Sequence, residues 1–229
     1  MPLRIFRPLL AGAQLPERLI GCAGAVVCLA LTIVVCSRLP LAVADLPIIV
    51  APLGASAVLV FAVPASPLAQ PWPVIGGNVI SSLVGVAAFQ CIPDLAIAAG
   101  VAVGGAILVM SLLRCLHPPG GAAALTAVIG SHGIHAAGFG FALAPVGVNS
   151  LSLVLLAMIF HRLTGRSYPH HPVLDRAAIK ATRAAAGLEA EDIDAALADM
   201  HESFDISRED LDLLLSKAQL HAMERHSAT

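Results

Sequence analysis

Apolar residues fall into long blocks along this chain. Leu19–Cys36, Val74–Cys91, Leu95–Leu113 and Phe139–Phe160 are each nearly uninterrupted. A bilayer span needs about 20 such residues, with about 17 the lower limit. Leu46–Val63 also reaches that length, although Pro47 and Pro52 break its start, and the turn Ile92-Pro93-Asp94 separates the third block from the fourth. Pro118–Ala137 is shorter in its apolar part, rich in Gly and Ala, and interrupted by Ser131, His132 and His135. Beyond the turn-rich junction Tyr168-Pro169-His170-His171-Pro172 the pattern changes to amphipathic. It predicts helices over Leu174–Ala186, ended by Gly187, then over Glu191–Met200 and Ser207–Arg225. The last opens with a capping box, Ser207 and Asp210. Leu211, Leu214, Leu215, Ala218 and Met223 form a stripe that the membrane domain or a second copy of the tail must cover. A homodimer through membrane domain and tail is therefore expected.

Composition sharpens the division. The chain has 229 residues, 58% of them hydrophobic and 12% charged, with a mean hydropathy of +0.86; a soluble domain carries about 25% charged residues. From Leu19 to Phe160 only Arg38, Asp45, Asp94 and Arg114 are charged, whereas the stretch from His161 onward holds eight Lys/Arg and twelve Asp/Glu. Residues 1–168 thus read as a transmembrane domain and 169–229 as a cytoplasmic helical tail. With no basic face, nucleic acid is excluded as a partner. Five cysteines, an odd number without metal-type spacing, argue against a disulfide framework or a zinc site. Arg4, Arg7 and Arg18 precede a first span with no cleavage site, so that span is expected to serve as the insertion signal.

Those arginines, with Arg114, Arg162 and Arg166, place both termini in the cytoplasm by the positive-inside rule, with a bacterial inner membrane expected. Both termini on one side require an even number of crossings. Six short or broken spans satisfy this when Pro118–Ala137 is counted; four spans plus two re-entrant segments are the alternative. The fold class is therefore an all-α membrane protein.

The membrane domain also repeats itself. Pro52-Leu53-Gly54-Ala55-Ser56-Ala57-Val58 matches Pro119-Gly120-Gly121-Ala122-Ala123-Ala124-Leu125. Some way after each, Pro73–Asn78 resembles Pro145–Asn149 with one deletion, and Asn78, Ser81 and Phe89 then align onto Asn149, Ser152 and Phe160. Three crossings per unit invert the second copy, and inverted repeats with broken helices place a substrate site near the bilayer midplane. A helix start opened by Pro and Gly leaves backbone N–H groups and about half a positive charge. Two such starts facing each other suit a small monovalent anion without a buried Lys or Arg. The expected site residues are Gly54, Ala55, Ser56, Asn78, His117, Pro119, Gly120, Gly121, Ala122 and Asn149. Asn78 and Asn149 either donate amide hydrogens to the anion or tie helices together.

Leu116-His117-Pro118-Pro119-Gly120-Gly121 carries a resemblance to the HPP family of integral membrane proteins, supported by PLGASAVLVFAVPASPLAQP (Pro52–Pro71), IGGN (Ile75–Asn78), HPPGGAAAL (His117–Leu125) and GRSYPHHP (Gly165–Pro172). The resemblance implies four spans in the usual family description and, from some members, nitrite transport. Many bacterial relatives in that family add a pair of CBS domains at the C-terminus, which this chain is expected to lack.

His117 either bonds the anion, or carries a proton with it, or caps a helix start. Ser66 and Gln70 either line an entrance or belong to an ordinary loop. Ser56 and Thr126 either meet the ligand or bond back to their own helix. His161, His170 and His171 fit no usual metal spacing, and the apolar region shows no nucleophile–base–carboxylate arrangement, so neither an enzyme nor a cofactor is expected. The favoured function is transport of a small inorganic anion, nitrite first; the alternative is a membrane-anchored sensor or scaffold acting through its acidic tail.

Overall fold

A computed structural model describes residues 14–38, 47–171 and 190–227, and every regular element among them is helical. The apolar blocks become α1 (Leu15–Arg38), α2 (Pro52–Ala62), α3 (Pro71–Cys91), α4 (Leu95–Leu112), α5 (Pro118–Ile129), α6 (His132–Ala137) and α7 (Val148–Leu163), the last preceded by a π-helical stretch, Ala142–Gly147. Helices α1, α3 and α4 and the continuous Ala142–Leu163 are long and apolar enough to cross a bilayer. At 1.5 Å per residue α2 and α5 reach only about 17 and 18 Å.

Local chemistry explains where the blocks break. Pro52 cannot continue a helix from upstream, because it has no N–H and fixes its φ, so Leu46–Val63 yields a helix only from its seventh residue. Pro118–Ala137 splits where Gly130 extends (φ −71°, ψ −177°) and Ser131 accepts the Ile134 N–H to start α6. Phe139–Phe160 bends at Ala144 (φ −137°, ψ 118°), beside Pro145. Asp94 accepts the Ile97 N–H at 2.9 Å and opens α4 after a three-residue turn.

Side-chain contacts fix the direction of each helix. One end of the bundle gathers the start of α1 and the end of α2 (Arg18 to the Ala62 carbonyl), the end of α7 (Arg166 to the Glu17 carbonyl, 2.9 Å; His161 Nε2 to the Val60 carbonyl, 3.0 Å), the start of α3 and the end of α4 (Trp72 Nε1 to the Leu113 carbonyl, 3.2 Å). Tyr168, just past α7, donates to the Ala69 carbonyl at 2.9 Å, and burial pushes its phenol up. The opposite end gathers the end of α1, the approach to α2 and the start of α7, where Asn149 reaches Cys36 and Ile48, and the ends of α3 and α5, where Phe89 stacks on His135 at 3.7 Å. Among the described residues the helices α1, α2, α3, α4, α5 and α7 thus alternate in direction along the bundle, α2 and α5 being the short ones. Arg18, Arg114, Arg162 and Arg166 share the first end; Arg38 and Asp94 occupy the other.

Helix α3 is central and packs on α4, α5 and α7, while α1 packs on α2 and α7. Gly85 permits the tight α3–α5 crossing, because a Cβ there would overlap the Ala124 carbonyl.

The chain divides into two compact units, Met1–Pro169 and His170–Thr229. In the second, α8 (Ala190–Met200) and α9 (Arg208–Ser227) flank a cleft of about 680 Å³ lined by Ile193, Leu197, Met200, Phe204, Leu211 and Leu215 among others. Ser207 Oγ accepts the Asp210 N–H at 3.0 Å, so the capping box opens α9, and His170 pairs with Asp210 at 3.0 Å. Of the expected stripe, Leu211, Leu215 and Ala218 line the cleft, but Leu214 and Met223 are exposed (58% and 41%), because they fall on different sides of the helix. The expected helix over Leu174–Ala186 lies outside the described residues.

Candidate functional site

Ser81 is the midpoint of α3, and around this level the otherwise apolar bundle turns polar. Asn78 Nδ2 lies 2.9 Å from the Val74 carbonyl, 3.1 Å from Ser56 Oγ and 3.2 Å from Ser150 Oγ. Ser56 Oγ is 2.8 Å from His117 Nε2, and His117 Nδ1 is 2.9 Å from the Leu68 carbonyl. A carbonyl only accepts, so His117 Nδ1 carries the proton and Nε2 accepts from the Ser56 hydroxyl. Four helices and a loop thus meet in one chain of hydrogen bonds, its side chains at most 2% exposed.

Two close approaches build this level. A Cβ on Gly77 would meet His117 Cβ at 2.5 Å and the Cys115 carbonyl at 2.8 Å, and one on Gly120 would meet Ser81 Oγ at 2.7 Å and the Gly77 carbonyl at 2.9 Å. Glycine lets the start of α5 lie directly on α3. The loop holding Leu68 is braced in turn: Ser66 Oγ accepts the Leu68 N–H, and Gln70 Nε2 donates to the Pro64 and Ser66 carbonyls. Ser66 and Gln70 therefore position the loop that seats His117.

The structure brings together Ser56, Asn78, His117 and Gly120 from the expected set, with the buried Pro119, second residue of α5, beside them. The others stand apart. Asn149, next to Ser150, turns its side chain away from the centre, so that Oδ1 accepts the Val50 N–H at 3.0 Å and Nδ2 faces the Ile48 carbonyl at 3.0 Å and Cys36. Ala55 and Ala122 are exposed, a Cβ on Gly54 would meet nothing within 4 Å, and Gly121 points toward Val103 of α4. Thr126 donates to the Ala122 carbonyl within its own helix. The helix starts also hold fewer free amides than the Pro-Gly pattern suggests. Leu53 and Gly54 N–H donate to Val50 and Ala51, Pro118 and Pro119 have no N–H, and Gly120 N–H donates to His117 at 2.8 Å.

Sequence reasoning passed over Ser150, Ser81 and Ser82 as site residues. Asn78 Oδ1, Ser81 Oγ and Ser82 Oγ are buried without a hydrogen-bond partner. The signal was present: Asn78, Ser81 and Ser82 stand at i, i+3 and i+4, one face of an otherwise apolar helix.

Among the described residues, four helices long and apolar enough to span a bilayer and a buried, uncharged polar centre define an all-helical integral membrane protein. Residues 11–169 match the family model described as HPP, transmembrane region, and the chain belongs to that family. It is also similar to two Dictyostelium discoideum proteins described only as transmembrane proteins. One is 37% identical over 131 residues, 55% of this chain and 46% of the relative; the other is 38% identical over 121 residues, 51% and 39% respectively. The chain thus spans less than half the length of these relatives. No solved structure matches it.

Proposed function

We propose that this protein is a transporter or channel for a small monovalent anion, nitrite first, which it binds near the bilayer midplane where α2 and α5 begin. The observation that carries the reading is the polar centre itself: Ser56, Asn78, Ser150 and His117, joined by hydrogen bonds inside apolar helices and flanked by Ser81 and Ser82. A polar group in a membrane interior without a structural partner is costly, and such groups mark solute pathways. Among the described residues no Lys, Arg, Asp or Glu joins this hydrogen-bonded centre, so the site suits a solute of low charge.

Two inverted three-helix repeats, α1–α3 and α4–α7, are part of the proposal. The shift that lays Pro52 on Pro119 also lays Ile48 on Cys115 and Val50 on His117. Ile48 and Val50 contact Asn149 at the start of α7, and Cys115 and His117 contact Gly77, beside Asn78, near the start of α3. That likeness between the two sets of contacts supports the repeat. Both termini in the cytoplasm of a bacterial inner membrane, and a homodimer, complete the reading. Monomers alone in both mild detergent and nanodiscs would count against the dimer.

The test is anion flux into proteoliposomes. Nitrite uptake above protein-free vesicles, retained when residues 173–229 are deleted, is the expected result. The apolar cleft of the tail favours a second reading, a membrane-anchored scaffold, which would show no flux with any small anion.

A further inference from the structure

The unpartnered groups at the polar centre are of two kinds, and the difference bears on what crosses with the anion. Ser81 and Ser82 offer hydroxyls that donate or accept. Asn78 Oδ1 only accepts. Its orientation is fixed, because Nδ2 faces the Val74 carbonyl at 2.9 Å and the reverse placement would set two carbonyl oxygens against each other. A bare anion has lone pairs and no proton, so Asn78 Oδ1 would repel it. Burying it would also leave its charge uncompensated, since among the described residues no cationic side chain joins this centre and the Pro-rich helix starts hold few spare amides. A neutral acid meets neither obstacle: its O–H donates to Asn78 Oδ1, and its other oxygen accepts from Ser81 or Ser82.

Resting on the transport reading above, we infer that the anion crosses together with one proton, held between Asn78 and the Ser81–Ser82 pair as its neutral conjugate acid. The proton comes from the water where the anion enters and returns to water where it leaves. No net charge moves and no other reactant is needed. His117 is not the carrier in this scheme, because Nδ1–H is held by the Leu68 carbonyl and Nε2 by Ser56.

The experiment uses the full chain in proteoliposomes with a pH dye inside, nitrite and formate as probes, and potassium–valinomycin to impose a potential; protein-free vesicles are subtracted. The expected result is one proton taken up per anion, a rate indifferent to the potential, and a rate rising about tenfold per unit fall in external pH as the neutral acid becomes more abundant. Flux that follows the potential without proton uptake overturns the inference and leaves anion transport standing. No flux for either probe at any pH removes both. Variants locate the site independently. Ser82→Ala deletes a hydroxyl that bonds nothing, so thermal stability holds or rises while flux falls at least about tenfold. Ser81→Ala and Ser82→Ala that both transport normally would overturn the assignment.

Discussion

His117 holds two hydrogen bonds that belong to different parts of the bundle, one to the Leu68 carbonyl before α3 and one to Ser56 in α2, while its own backbone starts α5. Removing the ring leaves the Leu68 carbonyl without its donor and opens a void at a fully buried position. His117→Ala is expected to lower stability by about 2–4 kcal/mol, combining the lost bonds with the void. Thermal unfolding in detergent measures this, and an unchanged midpoint would show that the ring is not a structural link. The motif HPPGG marked this residue in the sequence. Its partners were hidden, because a backbone carbonyl such as Leu68 has no signature in residue type.

Helix contacts set the next scale. Gly85 and Gly100 are both mid-helix glycines, yet a Cβ at Gly85 would overlap the Ala124 carbonyl while one at Gly100 would meet nothing within 4 Å. Gly85→Ala must part α3 from α5 and is expected to cost about 1–3 kcal/mol. Gly100→Ala is expected to be neutral or to stabilise by up to about 1 kcal/mol through helix propensity. Equal effects in side-by-side unfolding would refute the close crossing. Most elements were legible in the sequence because apolar blocks and proline breaks leave plain marks: Pro52 and Pro118 open short helices, and Asp94 opens α4. Which glycine faces which helix was not legible. Gly120 and Gly121 are adjacent in the motif, but a step of about 100° turns one toward Ser81 and the other toward Val103. The i→i−3 turns and paired prolines that leave the helix starts few donors have no mark in the Pro-Gly pattern either.

For the whole molecule, the central proposal is that six passages carry the chain across the membrane, although among the described residues only four helices are long enough to do so alone. The approach to α2 supplies what that helix lacks. Ile48 lies level with Cys36, and Phe61 lies level with Gly21, so residues 48–61 cover about 22 Å of depth along α1. Helix α5 likewise runs from the level of Gly77 to that of Phe89, where α6 turns back. The decisive segment is α5, because its two flanks are separated only by that short helix. Single cysteines at Arg114, Thr164, Asp94 and His132, all exposed, in a cysteine-free background can be challenged with a membrane-impermeant thiol reagent in vesicles of known orientation. Labelling of Asp94 and His132 from one side, and of Arg114 and Thr164 only from the other, is the predicted result. Labelling of His132 from the same side as Arg114 would make α5 re-entrant and contradict the six-passage account.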